Sequence, residues 1–433
     1  MQQGNISPAQ WYRDTRESLP VQWILGGLRP GQSTLYDFQR RFDPIIDQLN
    51  TSVLKHHPSC EPRRATIDGT YVAANTTRHK LLNKSRLTER LLLLEHPPEQ
   101  DGVTANVPRW LAPTERGKAR QRNTYRHALN RIERLLEKNA KLPAWRRKPE
   151  NKVLISPTDS EAPLGRDKQK TYRPLDNVQL VRDLDTDWIT AYETLATNTD
   201  IGTLEGTLDR CQKLSASIPS QILTDASYAT ERDMMVCEQK GVTLYAPYRE
   251  NTLSPSGKKK ANKRYFKKEE FQWNGERQEY RCPGGEVLVR KSREYRMLTD
   301  GDRPRIYRYR CSPELCLACE RSSLCTPSPQ KGRSLRRSER EDLVESLRAR
   351  MEKPESQELY RRRSASIERC FGEMQGFGEM RAHHGLSRFS RRGLQGAKTT
   401  VGLWVLLHNG LLWLKEITKT ENTQKNNHPP PDF

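Results

Sequence analysis

No stretch of this chain reaches the ~18 apolar residues that a membrane-crossing helix needs. The longest candidate, Val401 to Leu414, is 14 residues and is interrupted by His408, Asn409 and Gly410, so it reads as a buried helix. Met1 to Trp11 has neither a basic start nor an apolar segment, and no secretory leader is expected. Without export, the nine cysteines are not expected to form a disulfide framework. No G-x-x-x-x-G-K-[ST] loop occurs, so nucleotide hydrolysis of that type has no support. No internal repeat is visible. Apolar residues are scarce too: 34%, or about 40% with glycine, against roughly 45–50% in globular chains. A real core with polar, basic insertions is expected.

What is abundant is positive charge. Seventy-five Lys and Arg stand against 54 Asp and Glu, a net charge of +21. Charge of that size bears on partners, not on fold. Nucleic acid is the first candidate and an anionic membrane surface the second. The 433 residues suffice for two to three domains with a sizeable core.

Residues 1–58 read as a helical module. Ser33 or Thr34 offers an N-cap, and Leu35, Phe38, Phe42, Ile45, Leu49 and Val53 recur at helical spacing. From Arg64 the period changes, and Ala65 to Ala74 reads as a strand, a turn at Asp68-Gly69 and the start of a second strand. Residues 78–150 form a basic helical insertion within the 59–246 segment. From Arg109 to Glu150 there are 13 Lys/Arg and four acids, around an apolar stripe of Tyr125, Leu129, Ile132 and Leu136. Strands follow at Val153–Ile155, Val178–Val181 and Trp188–Leu195, then a helix near Leu204–Leu214. A strand Gln221–Asp225, a helix Tyr228–Gln239 and a strand Val242–Tyr245 complete a mixed α/β pattern. Residues 247–335 form a basic, cysteine-rich insertion with few apolar residues. Residues 336–417 return to helix, and 418–433 read as a polar, disordered tail.

In an open α/β sheet, ligands and metals gather at strand ends. Asp68 ends the first strand, Asp225 ends the strand before a helix, and Glu368 lies on the late helix. Three carboxylates suit Mg²⁺ or Mn²⁺ better than zinc, and two such ions can clamp both oxygens of a phosphodiester displacement. Plainer readings stand beside these. Asp68-Gly69 is a hairpin signal, Asp225 can cap the following helix, and Glu368 can be a solvated residue on a basic helix. Asp183, Asp185 and Asp187 read as a solvated turn. Around Glu368 the positions Ser364, Ala365, Phe371 and Gly372 carry no charge, which leaves it without a helical ion-pair partner. The expected inward stripe is Tyr360, Ser364, Ile367, Phe371 and Met374.

Taken together, several stretches resemble the DDE transposases of bacterial insertion sequences. They are Leu25-Gly26-Gly27-Leu28-Arg29-Pro30 with Ser33 to Phe38, Ile67-Asp68-Gly69-Thr70, Leu223 to Tyr228, and Ile367-Glu368-Arg369-Cys370-Phe371-Gly372. Ile155 to Asp159, Arg391-Arg392-Gly393-Leu394 and His408-Asn409 add to the likeness. The resemblance implies a ribonuclease-H-like mixed sheet flanked by helices, with the cysteine-containing insertion before the last catalytic helix. It implies Asp68, Asp225 and Glu368 as ligands of two Mg²⁺ or Mn²⁺ ions. Hydrolysis at an element's end and strand transfer to target DNA would follow, without a covalent intermediate or ATP. The implied partner is double-stranded DNA, as terminal inverted repeats and as target. The implied assembly is at least a homodimer, and the implied location is the bacterial cytoplasm, on the nucleoid and not in a membrane. The family's Tyr-x-x-Arg pattern falls on Tyr360 and Arg363, while Gln375 stands where the family has lysine. The chain also begins close to the helical module, as a shortened copy would. The alternative is therefore a transposase-derived DNA-binding protein that is truncated or catalytically inactive.

Cys311-x4-Cys316-x2-Cys319-x5-Cys325 puts four thiols in 15 residues, with Cys282 upstream. One C-x2-C knuckle supplies two tetrahedral ligands, so these four are candidate structural zinc ligands. Cys60, Cys211, Cys237 and Cys370 read as small hydrophobes, and His383-His384 as solvated. Lys258, Lys259, Lys260, Lys263 and Arg264 interleave with Tyr265 and Phe266, a composition suited to backbone contact and base stacking. Arg361, with Arg363, adds charge near Glu368.

Overall fold

A computed structural model describes residues 7–58, 63–96, 108–167, 170–248, 265–295, 304–375 and 386–427. The chain divides into two compact units, Met1–Leu223 with Arg361–Phe433, and Thr224–Tyr360. Among the described residues no helix is long and apolar enough to cross a membrane.

The first unit opens with four helices, α1 (Pro8–Glu17), α2 (Leu19–Ile24), α3 (Gln32–Arg40) and α4 (Ile46–Leu54). Strand β1 (Arg64–Ala73) follows, then helices α5 (Lys84–Glu95) and α6 (Glu115–Ala140). Strands β2 (Leu164–Arg166), β3 (Tyr172–Asp183) and β4 (Ile189–Leu195) come next, then α7 (Leu204–Ser215) and β5 (Gln221–Leu223). β3 is the centre of the sheet. It pairs antiparallel with β1 from Ala65↔Asp183 to Ala73↔Leu175, and with β4 across a register shift at Val181/Arg182. β5 adds to the other edge of β1 in parallel, Arg64↔Gln221 to Thr66↔Leu223. Antiparallel and parallel pairs in one sheet make this a mixed α/β unit.

From Pro174 to Asp183 every residue of β3 is buried, so both faces of the strand are covered. Two of its polar members are satisfied internally: Asn177 and Gln179 both donate to Asp200 Oδ1 at 2.8 Å. α5 and α6 pack as a helical hairpin around Leu87, Leu94, Tyr125, Ala128 and Ile132, which leaves Arg120, Arg126 and Arg134 exposed.

The second unit holds α8 (Glu231–Gln239), β6 (Thr243–Tyr245) and an antiparallel sheet in the order β11-β10-β9-β8-β7. These strands are β7 (Gln272–Asn274), β8 (Glu279–Arg281), β9 (Val287–Tyr295), β10 (Arg305–Arg310) and β11 (Ser334–Ser338). Short helices α9 (Pro313–Ala318) and α10 (Ser322–Cys325) link β10 to β11, and α11 (Glu341–Glu352) follows. α12 (Pro354–Gln375) leads from the second unit into the first, which ends with α13 (Leu394–Asn427).

Several local expectations change. Asp68-Gly69 is not a turn, because β1 runs through it as one ten-residue strand held by nine pairs with β3. Val153–Ile155 is no strand; only Ile155 bridges to Leu82. The N-terminal stripe slips by one residue. A turn breaks the helix after Arg40, and α4 restarts with Ile46, Asn50 and Leu54 inward while Phe38 and Ile45 are exposed. The α3 cap is Gly31, not Ser33 or Thr34. Asp183 is buried: it accepts the N–H groups of Asp185 and Thr186, and it lies 3.6 Å from His57 Nε2. Those contacts hold its carboxyl below the usual range although burial pushes it up. The insertion has a core of its own, Phe271, Tyr280, Leu288, Tyr309 and Leu335, because alternate positions on short strands gather few but large rings. The polar segment 418–427 continues α13 as helix, since elongation is easy once an apolar helix has nucleated. Residues 428–433, Cys60 and His383-His384 lie outside the described residues.

Candidate functional site

β1 and β3 carry Asp68 and Arg182 on one face, two pairs apart in register. α12 lies against that face. Arg363 Nη2 donates to Asp68 Oδ2 at 2.8 Å, and Arg182 donates to the Ser366 carbonyl and to Ser366 Oγ. Ile367, Cys370, Phe371 and Met374 are the buried residues of this segment of α12. The Asp68–Arg363 pair is shielded, with side chains only 19% and 12% exposed. The remaining oxygen, Asp68 Oδ1, accepts the Gly69 N–H at 2.8 Å. The first predicted carboxylate and the predicted arginine therefore meet.

Glu368 is exposed, and its Oε1 accepts the Ser364 hydroxyl at 2.7 Å. Ser364 is exposed as well and does not belong to the inward stripe. Glu368 lies five residues after Arg363, about 140° further round the helix, so Arg363 and not the glutamate points along the line to Asp68. Asp225 is the second residue of the second unit. It caps the 3₁₀ turn Ala226–Tyr228, with Oδ1 accepting the Ser227 N–H at 2.7 Å. The helix expected to be capped by Asp225, α8, is capped instead by Thr230, whose side chain accepts the Asp233 N–H. The neighbour of Asp225, Thr224, is tied to the start of α12, because Tyr360 donates its hydroxyl to the Thr224 carbonyl at 3.0 Å. Arg361 is exposed. The Gln375 side chain and Lys258, Lys259, Lys260, Lys263 and Arg264 lie outside the described residues.

The donor oxygens suit a hard divalent ion. As the side chains stand, however, no group of three or more His, Cys, Asp or Glu among the described residues could hold a metal ion.

Two motifs turn out to touch each other. Asp159 Oδ2 accepts the Gly393 N–H at 3.2 Å and Glu161 Oε2 accepts the Leu394 N–H at 2.9 Å, so the Ile155–Asp159 run caps the α13 start that Arg391–Leu394 encodes. Arg391 forks onto both oxygens of Asp43 at 2.6 Å. Asn409 clamps Ile189 of β4, accepting its N–H and donating to its carbonyl at 2.9 Å each. These recognisable residues hold the sheet to its helices. Sequence reasoning missed Asp176 altogether. It is buried on β3, one carboxyl oxygen has no hydrogen-bond partner, and burial with the charges of Asp159 and Glu161 pushes it up to about 7. An acid two residues before the mostly apolar Val178–Val181 stretch, on a strand that also carries Asn177, Gln179, Arg182 and Asp183, gave little signal. Cys211, Cys237 and Cys370 are buried, and desolvation pushes each thiol up to about 12, as small hydrophobes without reactivity would show.

Residues 281–410 match the family model described as a transposase DDE domain. The match supports a DDE transposase. It spans Glu368, the cysteine cluster and the Arg391–Leu394 and His408-Asn409 motifs, and it stops short of Asp68 and Asp225. No curated protein and no solved structure matches the chain.

Proposed function

We propose that the chain is the DNA transposase of a bacterial insertion sequence, acting in the cytoplasm on the element's terminal inverted repeats and on target DNA. The observation that carries this reading is the parallel pairing of β5 with β1. Its last registered pair is Thr66↔Leu223, and Asp68 and Asp225 each follow two residues later on their own segments. An acid inside β1 and an acid just after β5, each two residues past the last parallel pair on its own segment, in a mixed sheet covered by the helix that bears Glu368, suit a ribonuclease-H-like core. Asp68, Asp225 and Glu368 would be the oxygen ligands of two Mg²⁺ or Mn²⁺ ions, which when bound would supply Lewis acidity for phosphodiester displacement. Arg363 neutralises Asp68 in the free chain and, with Arg361, offers donors to a DNA phosphate, while the Tyr360 hydroxyl is held by the Thr224 carbonyl. Pairing two element ends calls for at least a dimer. Support comes from the matched domain, the +21 charge and the sheet register.

The test is strand cleavage on a duplex ending in the inverted repeats that flank this coding sequence, with and without Mg²⁺. The expected result is Mg²⁺-dependent cutting by the wild type, and binding without cutting by Asp225→Asn. Equal behaviour of the two proteins, both binding and neither cutting, would leave the transposase-derived DNA-binding protein as the surviving reading.

A further inference from the structure

We propose that the second unit holds a structural zinc ion on Cys282, Cys316, Cys319 and Cys325, with Cys311 beside the site and not a ligand. This assignment stands on residues of the second unit alone and is independent of the proposed DNA chemistry.

Five thiols line one cavity of about 20 Å³, room for a single ion or water. Four different pieces of chain deliver them. Cys282 follows β8 in the turn to β9, Cys311 follows β10, Cys316 and Cys319 sit on and at the end of α9, and Cys325 closes α10. Cys282 lies 29 residues before Cys311, yet the β8–β9 hairpin folds it back to the others. A Cβ placed on Gly284 would stand 3.5 Å from Cys282 Sγ and 3.3 Å from Cys319 Sγ, so these two sulphurs share one small gap.

The turn after β8 has the form that presents a thiolate. Cys282 N donates to the Glu286 carbonyl at 2.8 Å, Gly285 N to the Cys282 carbonyl at 2.9 Å, and Glu286 N to Cys282 Sγ at 3.3 Å. Cys316 Sγ likewise accepts the Arg333 N–H at 3.4 Å. Main-chain N–H groups aimed at sulphur favour its anionic form, as a metal ligand requires. Cys319 completes the C-x2-C knuckle with Cys316, and Cys325 lines the same cavity as Cys282, Cys316 and Cys319. Cys311 differs. It is 2% exposed, its N–H is engaged by the Arg333 carbonyl, and its thiol hydrogen-bonds to Cys316.

Four sulphurs at about 2.3 Å from one point make a tetrahedral Zn²⁺ site. As they stand the four thiols do not yet form a metal-holding group; each cysteine turns about a single χ angle, so closing on an ion needs rotation of side chains and no change of fold. Each ligating thiol would release its proton to solvent. The ion would fasten the two short helices α9 and α10 and the β8–β9 turn to the aromatic core, whose cluster includes Cys316 and Cys325 with Cys282 packed against it.

The test uses the full chain, purified with reductant and dialysed, with zinc counted by inductively coupled plasma mass spectrometry. About one zinc per chain is expected for a four-thiolate site. Cobalt exchanged into the wild type should give the intense visible and near-ultraviolet bands of a tetrahedral thiolate site, a readout that needs no variant to fold. Cys282→Ser should lose most of the zinc and Cys311→Ser should keep it. A wild type that binds neither metal overturns the proposal, as does one that carries disulfides among these residues. Retention by Cys282→Ser with loss in Cys311→Ser overturns the ligand assignment.

Discussion

The two units solve the same problem with different materials. In the first, a sheet with a fully buried central strand is covered by long helices, and its core is mainly aliphatic: Ile67, Val72, Leu175, Val178, Leu180 and Ile222 are all at most 1% exposed, with Trp188 and Tyr192 buried beside them. In the second, the larger sheet is of short strands, and its core is a ring cluster. Trp273, Tyr280 and Tyr309 stand with centroids 4.8–5.4 Å apart. A buried area set by many methylenes tolerates loss of one contact better than an area set by three rings and one cation. The second unit should therefore be the more sensitive to single polar changes. The first should answer to changes of packing and of buried charge.

The sharpest test of that contrast is Arg337. Its guanidinium lies 4.1 Å from the Trp273 ring centroid, donates to Tyr280 Oη at 2.9 Å and forks onto Glu345, with Asp342 also in contact. The arginine is 5% exposed while its acidic partners are open to water, so truncation strands the Tyr280 hydroxyl more than the acids. Arg337→Ala should cost about 3 kcal/mol, the low end for breaking a buried pair. Urea denaturation gives the total, and hydrogen exchange should show lost protection in the β8, β10 and β11 peptides with β1 and β3 unchanged. Equal losses in both units would erase the distinction.

Asp176 tests the first unit by pH. Its carboxyl is pushed up to about 7 in the folded chain, so between pH ~4 and ~7 the folded state keeps a proton that the unfolded state releases. Stability from this group is accordingly highest below pH 4 and falls as pH rises through 7. Asp176→Asn removes that fall. It should stabilise by on the order of 2 kcal/mol at pH 8 and change little at pH 4, read from denaturant midpoints at the two pH values. An unchanged pH profile would mean that the acid is satisfied in a way its bare oxygen does not suggest.

Much of this architecture was readable beforehand, and the failures share a cause. β4 and α7 are legible because burial imposes a period on contiguous residues, whereas β3, buried on both faces, shows only its mostly apolar Val178–Val181 stretch in the sequence. The α3–α4 phase was misread because Pro44, which marks the break at residues 41–45, was passed over while an apolar residue stays near each expected position. Asp68-Gly69 looked like a turn because dipeptide statistics see two residues, whereas nine strand pairs decide the backbone. At the candidate site the acids could be named, but the Asp68–Arg363 pair links residues 295 apart, and no local pattern encodes it. Cys282 shows the same limit, since its companions come from across a hairpin. Sequence spacing reports who is available, and topology reports who meets.

The smallest effect expected separates packing from charge within the first unit. Gly402 lies where α13 crosses α4 and β4, and a Cβ there would stand 2.5 Å from both Ile46 Cγ1 and Tyr192 Oη. The helix cannot back away, because Asn50 Nδ2 holds the Gly402 carbonyl at 3.0 Å. Nor is Tyr192 free to yield, since its hydroxyl donates to Asp47 Oδ1 at 3.0 Å, and Asp47 also receives Arg210. Gly402→Ala should thus cost about 1.5 kcal/mol, less the helix-propensity gain of alanine over glycine. If the methyl acts by crowding Ile46, adding Ile46→Val should restore part of the loss, a positive coupling in a double-mutant cycle. If it acts by displacing Tyr192 from Asp47, the second change restores nothing and Tyr192→Phe abolishes most of the Gly402→Ala effect. Either outcome keeps the damage in the first unit; a loss of exchange protection in the β7–β11 peptides would instead show that the two cores are not independent in their response.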